Sequence, residues 1–76
     1  MGYRTYIIHH EKEEAWLTQI LADGKEKVYR YMPDVGMAMQ IETLTEARRI
    51  AGACRGRVQT LRRGKDGEPY AAEVTK

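Results

Sequence analysis

The chain has 76 residues, 42% of them hydrophobic and 32% charged, and carries a formal net charge of +2. That length leaves room for one domain, residues 1–76, and one small core, which buries only about 60% of the surface the unfolded chain exposes. A single cysteine excludes an internal disulfide and fits a reducing compartment, and no apolar run approaches the roughly 20 residues that cross a bilayer.

The segment Met1–Tyr6 lacks the apolar core of a signal peptide, and Tyr6 stands where a myristoylation signal wants Ser or Thr. Tyr3–His10 alternates around Ile7 and Ile8 and is rich in β-favouring types, which predicts a strand. Ala15–Leu21 reads as a second strand paired to the first across Glu11–Glu14. Its alternative is a helix over residues 11–22, with Trp16, Leu17, Ile20 and Leu21 on one side and Gly24 capping the end. Val28–Met32 predicts a third strand. Pro33-Asp34-Val35-Gly36 is a turn, with proline presetting φ and Gly36 free to turn left-handed. Met37–Glu42 alternates again and predicts a fourth strand burying Met37, Met39 and Ile41.

A helix follows. Thr43 with Glu46 makes a capping box, and Leu44, Ala47, Ile50, Ala51 and Cys54 form one apolar stripe at helical spacing. Gly52 weakens this helix and Gly56 suits its C′ position. Arg57–Arg63 is a strand in which Val58 and Leu61 have opposite parity and cannot face one core. Gly64-Lys65-Asp66-Gly67 is a hairpin turn, and Tyr70–Thr75 is an edge strand begun by Pro69. The expected fold is α+β: an antiparallel sheet of five to six strands against one helix, in the order ββββαββ. The helical alternative for residues 11–22 gives a ferredoxin-like βαββαβ instead.

Charge is unevenly laid along the chain. Arg48, Arg49, Arg55, Arg57, Arg62, Arg63 and Lys65 lie in 18 residues with no acidic side chain, so the net charge is −3 before this stretch and −2 after it. Arginine's planar fork suits phosphate and carboxylate, and such a field attracts nucleic acid or an acidic protein surface. The competing reading is a solvated face balanced by Glu42, Glu46 and Glu73. These seven residues are the candidate contact set, on one continuous surface of helix flank, strand and hairpin tip.

The remaining motifs give less. Gly64–Gly67 has the letters of a backbone-clamping GXXG loop, but it follows a strand and carries Asp66, so the hairpin reading prevails. His9 and His10 are adjacent on a strand and point to opposite faces, which separates them as a catalytic or metal pair. Cys54 on the helix stripe adds no partner at metal-ligand spacing. Glu11, Glu13 and Glu14 read as surface charge. The six aromatic residues of a phenylalanine-free chain are needed in the core more than for base stacking. No cofactor, metal or catalytic group is expected.

The layout "TYIIHH", "AWL", "AMQIETLTEARRIA" and "GRVQTL", carried by Ala38, Ile41, Thr43, Glu46 and Ala47, resembles small phage and prophage proteins, among them small anti-CRISPR inhibitors. The resemblance implies a mobile-element origin, action by binding rather than catalysis, and residence in the cytoplasm of a bacterial host. It transfers no individual residue. The expectation is a steric inhibitor acting through an arginine-rich face, or else a module gripping a nucleic-acid backbone, with self-association a way to stabilise so small a core.

Overall fold

The computed structural model describes residues 5–74. Five strands, β1 (Thr5–His10), β2 (Ala15–Asp23), β3 (Glu26–Met32), β4 (Arg57–Arg63) and β5 (Pro69–Glu73), form one sheet in the spatial order β3-β2-β1-β4-β5. Every neighbouring pair is antiparallel. One helix, α1 (Leu44–Cys54), packs on β1 and β4. The fold is therefore α+β, with the chain order βββαββ. Tyr3 and Thr75, the outer limits expected for the first and last strands, lie outside the described residues.

Periodicity builds the core. Tyr6 and Ile8 from β1, Leu17 from β2 and Ile41 meet Ala47, Ile50, Ala51 and Cys54 of α1. Ile20, Tyr29, Tyr31, Leu44 and Val58 close in around them. Thr43 caps α1 as expected, its hydroxyl accepting from Glu46 N at 3.2 Å. The opposed parities of Val58 and Leu61 have a simple resolution. Val58 faces the helix opposite Ile8, and Leu61 faces away opposite Thr5, both half-buried.

The face away from the helix has its own cover. Ile7 is 0% exposed although it points away from α1. Trp16 lies opposite His9 on β2, yet its Nε1 donates to Gln59 Oε1 on β4 at 2.9 Å. The indole must therefore span β1, over Ile7, with the His9 ring against its edge at 5.0 Å between centroids. A 3₁₀ turn, Val35–Met37, packs on β2 and β5 with Gly36 close to the Pro69 ring.

Three expectations are corrected, the first of them only an alternative. Residues 15–23 are a strand, as the primary reading of Ala15–Leu21 has it, so the alternative helix over 11–22 and the ferredoxin-like arrangement built on it are absent. The sheet has five strands rather than six, because the predicted fourth strand over Met37–Glu42 does not form. Asp34 accepts from Gly36 N at 2.9 Å and starts the 3₁₀ turn, leaving Met37 56% exposed. Only an isolated bridge between Ile41 and Tyr6 survives from the predicted strand. Thr18 bulges out of β2, and β1 pairs with β2 only at His9 and His10. Residues 39–41 fill the gap beyond, with Met39 N bonded to Leu17 O and Ile41 exchanging two bonds with Tyr6, each 2.8 Å.

The third correction inverts two neighbours. Gly36 and Gly56 are not left-handed; the left-handed residue ending α1 is Arg55, at φ 60°. Gly56 serves clearance instead. A Cβ there would overlap Ile8 Cγ2 and sit 3.1 Å from His9 O. Adjacent substitutions should then have opposite signs. Gly56→Ala forces the α1–β4 corner off β1 and should cost about 1–3 kcal/mol. Arg55→Gly relieves a left-handed side chain and should raise stability by about 0.5–1 kcal/mol. Urea midpoints of the two variants check this; equal shifts in one direction would overturn the inversion.

Candidate functional site

The seven basic residues do not share one face. Register places Arg57 and Arg63 on the side of the sheet away from α1, with Gln59 and Leu61, and places Arg62 on the helix side opposite Tyr70. Arg48 and Arg49 project from α1, Arg55 ends it, and Lys65 sits in the β4–β5 turn. Strand alternation alone divides Arg62 from Arg63.

Partners divide them further. Arg57 is held between two carboxylates, with Nη2 2.9 Å from Glu11 Oε1 and Nη1 3.2 Å from Glu73 Oε1. Arg49 grips Glu46 with both Nε and Nη2. That hydrogen bond is the main reason the Glu46 carboxyl sits below its usual range and the Arg49 guanidinium above its own. Arg63 donates to Gly67 O at 3.1 Å, locking the hairpin. Arg48, Arg55, Arg62 and Lys65 take part in none of the ion pairs seen among the described residues.

Those four lie on or beside the helix side. The charge of Lys27 on β3 adds to the lowering of the Glu46 pKa, so that flank of α1 looks towards β2 and β3. Arg48 sits about 200° further round the helix and looks towards β4 and β5. There α1 stops short of β5, and Tyr70 is 47% exposed directly across from Arg62. Thr60, Arg62, Tyr70 and Ala72 form a ledge on the helix side of β4 and β5, and Arg48 lies on the flank of α1 that turns towards it. Lys65 sits in the turn at the end of this ledge, whereas Arg55 lies at the opposite end of α1, beside His9 and His10. Composition alone assigns Tyr70 to the core with the other aromatics; the signal that marks it as a surface group is its register opposite Arg62, which the Asp66-Gly67 hairpin determines.

At the other end of the sheet a shallow depression of about 390 Å³ is lined by His9, His10, Lys12, Arg55 and Arg57, with Glu11 and Gly56 completing it. The two histidines diverge as their adjacency requires. His9 leans on Trp16, whereas His10 stacks near Tyr31 at 4.9 Å and accepts from Glu13 N through Nδ1 at 3.3 Å. Among the described residues no group of three His, Cys, Asp or Glu side chains is placed to hold a metal ion. No described helix is long and apolar enough to cross a membrane.

On the core side the half-buried Tyr31 lies against the buried Cys54. Burial first, and then the Cys54 thiol against it, push the Tyr31 phenol well above its usual pKa. Cys54 itself is buried and free.

With the geometry set out, comparison with known proteins adds nothing to it: no family model, curated protein or solved structure matches the chain.

The Tyr31 environment has a pH consequence. A phenol whose folded pKa is raised ionises first in the unfolded chain. Its contribution is complete below about pH 10 and is lost as pH climbs towards the folded value. Urea midpoints should fall as pH rises above about 10, and fall less steeply in Tyr31→Phe. Equal slopes in the two proteins would remove Tyr31 as the cause.

Proposed function

We propose that this chain is a small non-enzymatic binding protein that sets the Arg48–Arg62–Tyr70 ledge against an anionic partner surface. The observation that carries this reading is the split within the basic set. Arg49, Arg57 and Arg63 are tied to the protein's own oxygen atoms, while Arg48 and Arg62, which have no ion-pair partner among the described residues, flank an uncovered part of the sheet with an exposed ring. Arginines already paired offer little to a partner, because a new contact must first replace the old one. Unpaired arginines beside an aromatic ring keep both fork and face available.

The biological role we infer is that of a steric blocker, one that covers an acidic or nucleic-acid-facing surface of a bacterial defence complex. The resemblance expected from the strand–helix entry, Ala38 to Ala47, to small phage proteins, including anti-CRISPR inhibitors, motivates it. A second reading has a specific observation in its favour. Tyr70 directly across a strand pair from Arg62 is the arrangement on which a single-stranded base can stack while its phosphate meets a guanidinium. On that reading the chain grips nucleic acid itself.

The ledge is tested by where charge reversal matters. Arg48→Glu combined with Arg62→Glu should weaken capture of a nucleoprotein complex from bacterial lysate by about tenfold or more, whereas Arg49→Glu should change it by less than about threefold. Comparable losses in the two variants would show that position on the ledge is irrelevant. Direct binding of a labelled single-stranded oligonucleotide that collapses as salt rises, and that Tyr70→Ala weakens, would select the second reading. No oligonucleotide binding at micromolar protein would reject it.

A further inference from the structure

The two edges of the sheet are built differently. β5 is five residues long and opens with proline, which removes a backbone donor and blunts that edge. β3 is seven residues long, contains no proline, and presents Glu26-Lys27-Val28-Tyr29-Arg30-Tyr31-Met32 along its free side. Its alternation is resolved by the core. Tyr29 and Tyr31 pack towards the helix, so Glu26, Val28 and Arg30 point the other way, where Val28 is 46% exposed. Thr18 Oγ1 donates to Arg30 O at 3.2 Å. Arg30 therefore turns its backbone groups to β2, and Lys27, Tyr29 and Tyr31 turn theirs outward.

An outward row of donors and acceptors accepts another strand, and the side chains say which one. Consider a second copy of β3 added antiparallel about a two-fold axis normal to the sheet. Faces then match only if a residue pairs with one of its own parity, so the axis passes through a residue. Centred on Lys27 it sets two lysines together. Centred on Arg30 it sets two arginines together, and centred on Tyr29 it sets Val28 against Arg30. Centred on Val28 it sets Glu26 against Arg30 of the second copy, twice by symmetry, with Val28 on Val28 between the two ion pairs. Lys27 and Tyr29 then exchange the outward backbone bonds. Opposite charges meet in that register and in no other of the four. Glu26 and Arg30 also take part in none of the ion pairs among the described residues.

We propose that β3 is a self-recognition edge, through which two copies of this chain join into one continuous ten-stranded sheet in the Val28-centred register. The pairing extends the small apolar patch of Leu21 and Val28, opposite each other on β2 and β3, across the axis to its symmetry mate. It leaves the Arg48–Arg62–Tyr70 ledge on β4 and β5, at the opposite edge of each subunit's sheet, so one dimer would display two ledges facing the same side of the sheet.

Sedimentation equilibrium of the full chain over about 10–500 µM tests the register through charge exchange. The wild-type protein should dimerise within that range. Glu26→Arg and Arg30→Glu should each weaken dimerisation by about tenfold or more, since each change sets like charges together at both symmetry-related pairs. The double variant Glu26→Arg/Arg30→Glu restores opposite charges and should return to within about threefold of wild type. These side chains are exposed, so far-ultraviolet circular dichroism should match in all four proteins. A monomer throughout the range overturns the proposal, as does a dimer that both single variants leave unchanged or that the double variant fails to restore.

Discussion

Two reciprocal backbone hydrogen bonds between Tyr6 and Ile41, each 2.8 Å long, determine where the rest of this chain can lie. They plug the opening that the Thr18 bulge leaves between β1 and β2, so the buried backbone of β1 is satisfied on both sides. They also end the irregular segment just before Thr43, at the level of the sheet. From there α1 can bury its stripe only by crossing β1 and β4, and the chain must return through the narrow corner at Gly56. A glycine at that corner is therefore a packing requirement set some fifteen residues earlier. The left-handed turn falls to Arg55 because Gly56 is already committed to clearance.

Much of this was legible before any coordinates. Thr43, Glu46 and the stripe from Leu44 to Cys54 specify α1, since cap and periodicity agree. Asp66-Gly67 specifies the last hairpin, and Gly67 is indeed left-handed at φ 83°. Alternation over Met37–Glu42 does not make a strand, because it says nothing of whether a partner lies alongside; Met37 is exposed and Ala38, of the opposite parity, is buried. The side-chain bond from Asp34 to the Gly36 amide captured the start of that segment, and only Ile41 found a ladder. The basic run was legible as composition and illegible as a surface. Arg62 and Arg63 fall on opposite faces by simple alternation, but the pairing of Arg57 with Glu11 and Glu73 joins residues far apart in sequence.

Those pairs are exposed, and exposed pairs of this kind contribute little to stability. Their larger effect is on the field around the molecule. Glu11 and Glu73 neutralise Arg57 on the side away from α1, while Arg48 and Arg62 take part in none of the ion pairs among the described residues. A net charge of only +2 thus conceals an uneven pairing of cations with carboxylates over the surface.

The one tryptophan of the chain bridges three strands: it is rooted in β2, lies across β1 and is anchored to Gln59 of β4. Those strands come from both ends of the sequence, before and after α1, and nothing local holds them together. The indole is consequently a built-in gauge of tertiary assembly. Its emission senses whether the N-terminal hairpin and β4 are docked, and fraying at the tip around Gly24 or at the Lys65 turn leaves its surroundings untouched.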